Sequence, residues 1–153
     1  MKEYNWHLKK FSELTTLELY KILKLRIDTF VVEQNCNYEE LDNKDLECYH
    51  LFLENDEGNV IAYSRLLPPK LKYEEVSIGR VVVDFNFRGE NLGISLLEKA
   101  VSTCFSLWDS DIKISAQAYL KSFYEKFRFK QISDEYDDAG IMHIDMLLKK
   151  EFI

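Results

Sequence analysis

Residues 4–8 alternate weakly between apolar and polar positions, which predicts a short first strand. Thr15-Thr16-Leu17-Glu18 then has the T-x-x-E spacing at which hydroxyl and carboxylate each satisfy a backbone N–H left free at a helix start. A helix is expected from there, with Leu19, Ile22, Leu23, Ile27 and Phe30 on its buried face, running on toward Val31, Val32, Glu33 and Gln34. Residues 35–45 are rich in acids and asparagine and poor in apolar side chains, so they read as a loop, and the acids Glu39, Glu40, Asp42, Asp45 and Glu47 as a solvated loop or a rim that attracts amines. Residues 48–53 and 60–67 flank Asn55-Asp56-Glu57-Gly58-Asn59, the pattern of an antiparallel hairpin, and Pro68-Pro69 ends its second strand. The valine-dense run 76–83 predicts a strand buried on both faces. Ile94, Leu97, Val101 and Cys104 or Phe105 mark a helix that begins near Asn91. A strand at 112–116, a short helix at 120–127 and two strands at 129–133 and 142–148 complete the order β-α-β-β-β-α-β-α-β-β. That order is an α/β class with a mixed, mostly antiparallel sheet and helices on both faces.

Composition narrows the functional classes. A chain of 153 residues, 46% hydrophobic and without repeat, linker or low-complexity tract, is expected to be a single domain over 1–153. The net charge of −7 argues against a surface that tracks nucleic-acid phosphates and suits a cationic substrate better. No apolar run reaches the length of a signal peptide or of a membrane span, so no membrane association is expected. Cys36, Cys48 and Cys104 are odd in number and widely spaced, which points to reduced thiols and a cytoplasmic location. Oligomeric state is not fixed by the sequence, although an exposed strand edge near the C-terminus leaves room for a homodimer.

The chemistry is concentrated in VVVDFNFRGENLG, residues 81–93, where a stiff strand gives way to a helix. A helix start carries unpaired N–H groups and the positive end of the helix dipole, so it binds anions, phosphate above all. Gly89 and Gly93 permit close approach of the backbone, Asn91 tolerates left-handed dihedrals, and Arg88 adds charge-assisted hydrogen bonds. Two rival phosphate motifs fit less well. The dinucleotide fingerprint needs a first glycine pair that is missing, and a P-loop needs a Gly-Lys-Ser/Thr that does not occur.

A second stretch, Gln117-Ala118-Tyr119-Leu120-Lys121-Ser122-Phe123-Tyr124-Glu125, places a polar amide at a strand end and an aromatic pair on the next helix. Together the two stretches resemble the GCN5-related N-acetyltransferases. Arg88-Gly89-Glu90-Asn91-Leu92-Gly93 is similar to that family's R/Q-x-x-G-x-G/A signature, and Phe123-Tyr124-Glu125 to its later F-Y-E-x-x-G-F segment. LRIDTFVVEQNCNYEELDNKD with the following His50, and GIMHIDM from Gly140, resemble its ElaA-like branch. Asn91 stands in place of the middle glycine, a mild change. Arg128 replaces the glycine before Phe129, which predicts a differently shaped turn after the helix.

The resemblance implies acetyl-CoA as donor and coenzyme A as product. Its pyrophosphate would lie on the N–H groups of Arg88, Gly89, Glu90, Asn91, Leu92 and Gly93, and its pantetheine arm would pair like an added strand with Val81, Val82 and Val83. The N–H of Val83 would polarise the thioester carbonyl, Gln117 would hold a pantetheine amide, and Phe123 would wall the cofactor. Tyr124 matches the family's general acid for the departing thiolate. Glu33 is the first candidate for the base, ahead of His50 and His143, and Glu33, Gln34, His50 and His143 are the expected amine-binding residues. No metal site is expected: Cys48 and His50 supply two ligands at most, and the acids of the 39–47 segment lack the order of a calcium loop. Cys36 recurs in the branch pattern without a known role. The expected activity is transfer of an acetyl group to the primary amine of a small molecule or peptide by direct attack. An acyl-CoA sensor without turnover is the alternative, and a nucleotide-binding regulator a third option.

Overall fold

The computed structural model describes residues 4–152, so residues 1–3 and 153 of the expected domain lie outside the described range. Strands β1 (Tyr4–Lys10), β2 (Tyr49–Asn55), β3 (Val60–Leu67) and β4 (Ser77–Val83) form an antiparallel meander in that order. Helix α1 (Thr16–Arg26) joins β1 to β2, and α2 (Leu92–Leu107) follows β4. A second sheet contains β5 (Ile112–Gln117) and β8 (Ile141–Leu148), with β6 (Lys130–Gln131) and β7 (Tyr136–Asp138) paired to the far edge of β8; the short helix α3 (Lys121–Glu125) follows β5. The ladders are antiparallel, and the α/β class expected from the sequence is the one observed.

Local signals explain most of these elements. Thr15 Oγ1 accepts from Glu18 N–H at 3.0 Å while Glu18 Oε1 accepts from Thr15 N–H at 2.9 Å, so the capping box starts α1 as its spacing predicts. Asn55 Oδ1 accepts from the N–H groups of Glu57 and Asn59, which closes the β2–β3 turn. Every residue of β3 is buried, because α1 packs on one face of the meander and α2 on the other. Ile22 and Leu25 meet Phe52, Tyr63 and Val82 on the first side; Leu96, Leu97 and Ala100 meet Leu51, Leu66 and Ile78 on the second.

Four expectations are corrected. The first helix changes to a π-helix over Ile27–Glu33, with Gln34 N–H bonded to Thr29 O at 3.1 Å, and its buried stripe runs through Ile22, Leu25, Arg26 and Thr29. The stripe is rotated because Arg26, a residue that patterning assigns to solvent, has buried carboxylate partners. The 35–45 segment supplies them: Glu40 and Asp45 are buried, so it is not simply a solvated loop. Residues 136–138 form a strand that patterning missed, joined to β8 by a two-residue turn with φ +54° at Ala139 and +86° at Gly140. Finally, Arg128 takes φ +71°, so the turn after α3 keeps the glycine-like conformation despite the side chain.

Candidate active site

The two sheets meet at one point. Val76 and Ile112 form a parallel bridge, with Lys113 N–H donating to Val76 O at 2.8 Å, and β4 and β5 then part. This is why β4, expected to be buried on both faces, leaves Gly79, Arg80, Val81 and Val83 only half-buried. A register shift in the β3–β4 ladder helps to open the gap: Arg80 adopts φ +52°, a left-handed conformation that costs a non-glycine residue about 1 kcal/mol. Glu40 holds Arg80 there, accepting from its Nε at 2.8 Å and, through the main-chain oxygen, from its Nη2 at 3.0 Å.

The result is a cleft of about 600 Å³ with a free strand edge along one wall. Asp84 N–H is spent on Ile61 O, whereas Val83 O accepts from Arg88 Nε at 3.1 Å and so faces away from β3. Alternation along the strand then turns the main-chain groups of Val81 and Val83 to the cleft and those of Val82 back to β3. Val82 contributes a buried side chain to the α1-side core.

At one end of the cleft lies the start of α2. The first turn closes with Ser95 N–H on Asn91 O at 3.2 Å, which leaves the preceding N–H groups of Leu92, Gly93 and Ile94 without intrahelical acceptors. Asn91 sits at φ +61° and Gly89 at +88°, so both take the left-handed turn that points this backbone into the cleft. A Cβ on Gly89 would touch nothing within 4 Å, so dihedral freedom rather than space demands glycine there. A Cβ on Gly93 would lie 3.7 Å from the Phe123 ring, which seats α2 against α3. Leu92 is buried, and the Glu90 carboxylate accepts from Tyr4 Oη at 3.0 Å outside the cleft lining.

The other expected residues divide. Tyr124 borders the cleft, 7% exposed and packed edge-on against Phe123 and Phe129; burial raises its pKa far above the usual phenol range, so it stays protonated. Gln117 reaches across to Gln34, each amide donating to the other at 3.3 and 3.2 Å, and thereby ties β5 to the π-helical segment. Glu33 also faces the cleft, but both of its oxygens accept from Arg88, at 2.8 and 3.0 Å. The arginine expected on phosphate and the carboxylate expected to take a proton are therefore paired with one another. His143 lines the cleft and donates from Nδ1 to Ile141 O at 2.8 Å, leaving Nε2 as the acceptor in the neutral ring. His50 is elsewhere. It is 1% exposed, with Nδ1 at 2.7 Å from Tyr63 Oη and Nε2 at 2.9 Å from Asp45 O, and burial lowers its pKa. It belongs to the interior, so its expected contact with an amine is withdrawn: strand spacing cannot say which face a distant loop covers.

Patterning also missed cleft residues. Ser115, Tyr38, Asp138 and Arg80 border the cavity. An aspartate inside the apolar alternation of β8, Asp145, was the legible warning, since aspartate is depleted from strands.

A model of the family described as acetyltransferase (GNAT) domain matches residues 18–150. The chain belongs to this GNAT family, in its ElaA-like branch. Protein ElaA of Escherichia coli K12 is 41% identical over 145 residues, 92% of this chain and 94% of that protein. A UPF0039 protein of Schizosaccharomyces pombe is 40% identical over 151 residues, covering 97% and 99% of the two chains. The crystal structure of an acyl-CoA N-acyltransferase from Pseudomonas aeruginosa superposes with a TM-score of 0.90 at 40% identity, over 96% of this chain and all of that one. The E. coli ElaA crystal structure does so at 0.89 and 37%, with the same coverage. GNAT membership makes this an acyltransferase fold of a family that draws on acyl-CoA donors. Among the described residues no helix is long and apolar enough to cross a membrane.

Proposed function

We propose that the protein is an N-acetyltransferase that moves an acetyl group from acetyl-CoA to the primary amine of a small molecule or peptide. One observation carries the reading: a single cleft joins the start of α2, the outward main-chain edge at Val81 and Val83, and the protonated phenol of Tyr124. The donor supplies an activated thioester. The N–H groups at the start of α2, with Arg88, hold its pyrophosphate, and the β4 edge pairs with its pantetheine amides. An N–H of Val81 or Val83 stabilises the charge that builds on the carbonyl oxygen as the amine attacks. Tyr124 then gives a proton to the departing thiolate. Gln34 and His143 line the same cavity and would meet the amine, while Gln117, also on the lining, would hold a pantetheine amide.

Thiol release from acetyl-CoA across alkylamines, polyamines and peptide N-termini tests the reading, alongside calorimetric titration with acetyl-CoA, longer acyl-CoAs, ATP and NAD. Turnover with at least one amine and preference for acetyl-CoA are expected. Tight acyl-CoA binding with no thiol release on any amine would make the protein a sensor, and preference for ATP or NAD would remove the donor assignment. Tyr124→Phe should lower kcat by roughly 100-fold with the acetyl-CoA affinity retained.

A further inference from the structure

The face of β5 and β8 that borders the cleft carries a chain of hydroxyls that ends on a carboxylate. Ser115 and Asp145 stand directly opposite on β5 and β8, as do Gln117 and His143, and Tyr136 on β7 faces His143 from the other side. Strand alternation therefore places Ser115, Gln117, His143, Asp145 and Tyr136 on one face, while Ile114, Ala116, Ile144 and Met146 fill the core on the other. On that face Tyr136 Oη donates to Asp145 Oδ1 at 2.6 Å and lies 2.5 Å from Ser115 Oγ. Because the phenol proton is directed at the carboxylate, the serine proton must point to the phenol. The lone pairs of Ser115, which borders the cleft, are then left to accept from a ligand.

We propose that Asp145 is the final proton acceptor of the reaction, reached from the attacking amine through the hydroxyls of Ser115 and Tyr136. This rests on the amine-acetyltransferase reading. Ser115 is the catalytic residue of the three, since it touches the amine; Tyr136 and Asp145 act through it as positioning residues. The step balances. An ammonium N–H bond breaks and its proton goes to Ser115, whose own proton passes to Tyr136 as the tyrosine proton passes to Asp145. The amine keeps the electron pair that attacks the thioester, both hydroxyls are restored, and Asp145 becomes a neutral acid that later releases its proton to water. Burial and the Asp145 hydrogen bond push the Tyr136 pKa up to about 12, so the phenol relays a proton without resting as an anion. The titratable and charged groups around Asp145 are Tyr136 and Asp138 of β7, His143 of β8, and Tyr73, with the Lys113 ammonium 4.4 Å over the Tyr73 ring. Glu33, the base expected from sequence, has both oxygens on Arg88, whereas Asp145 meets the cleft through this chain.

Steady-state thiol release is measured from pH 6 upward with glycinamide, benzylamine and n-propylamine, for the wild type, S115A, Y136F, D145N, H143Q and S115A/D145N. Acetyl-CoA affinity is titrated for each. Y136F removes one oxygen and keeps the ring packed, so it tests the relay even if D145N folds poorly. The three single relay variants should each lose about 100-fold in kcat near neutral pH with unchanged acetyl-CoA affinity. The loss should shrink as pH approaches the acceptor's own pKa, where the amine arrives deprotonated, and the double variant should be no worse than either single one. A Y136F enzyme with the wild-type rate and pH profile overturns the relay, as do additive losses or a pH-dependent loss confined to H143Q. A wild type that releases no thiol with any amine overturns the acetyltransferase reading and the relay with it.

Discussion

Two sets of arginine–carboxylate pairs in this protein use the same chemistry to opposite ends. In the interior, Arg26 bonds Glu40 at 2.6 Å and Asp45 at 2.8 Å, and Arg65 bonds Asp42 at 2.7 and 2.8 Å and Asp45 at 3.0 Å. Both arginines are at most 2% exposed. At the cleft, Arg88 and Glu33 form an equally well-aligned pair with side chains 38% and 39% exposed. Geometry does not distinguish the two sets; desolvation does. Separating a buried pair strands a charge away from water, while an exposed pair exchanges its partner for water or a ligand at small cost. The interior set therefore acts as scaffold. Glu40 links Arg26 to Arg80, whose left-handed backbone opens the cleft, so the scaffold also shapes the site. The exposed pair is suited to part when an anion arrives.

The largest effect expected from this contrast is on folding. Arg26→Met removes one buried cation from both Glu40 and Asp45, leaving Glu40 to Arg80 and Asp45 to Arg65, and should cost about 3 kcal/mol in denaturant unfolding, the low end for a broken buried pair. Arg88→Met should change stability by no more than about 1 kcal/mol. Comparable losses in the two variants would break the comparison.

Acid should attack the same interior set. Burial lowers the His50 pKa below its ordinary 6.5, outweighing its hydrogen bond to Asp45 O. Burial opposes the charges of Asp42 and Asp45, yet hydrogen bonds from Arg65 and Arg26 overcome it and hold both below their ordinary 3.8. The unfolded chain binds protons more readily at all three groups, so their contribution is present above pH 6.5 and is lost on acidification. His50 accounts for the fall below 6.5 and the two aspartates for that below 3.8. Unfolding midpoints recorded from pH 7.5 to 3 check this, and a flat profile between 7 and 5 would contradict a neutral buried imidazole.

Smaller effects should appear at the cleft. Arg88→Met should weaken acetyl-CoA binding by about tenfold, or about 1.4 kcal/mol, and flatten its salt dependence in calorimetric titrations. Glu33→Gln should tighten that binding by a few-fold, up to about 1 kcal/mol, because the carboxylate no longer competes for the guanidinium. Weaker binding in the glutamine variant would mean that Glu33 orients Arg88 for the ligand instead.

The sequence by itself determined what is short in range. The T-x-x-E box started α1, asparagine and glycine closed the β2–β3 turn, apolar periods drew both long helices and most strands, and 88–93 began a helix where the motif put it. These depend on residues a few positions apart, so a linear reading captures them. Tyr124 was legible for the same reason, since its motif fixes its place on α3. Only the tertiary structure decided which charges were buried and which faced one another. Arg88 meets Glu33 across 55 positions, Arg80 meets Glu40 across 40, Gln34 meets Gln117 across 83, and Tyr136 joins Ser115 across 21. A polar side chain's pattern reports only that it can be solvated. Whether it is solvated, paired or aimed into a cleft is set by the element packed over it, and that element comes from elsewhere in the chain.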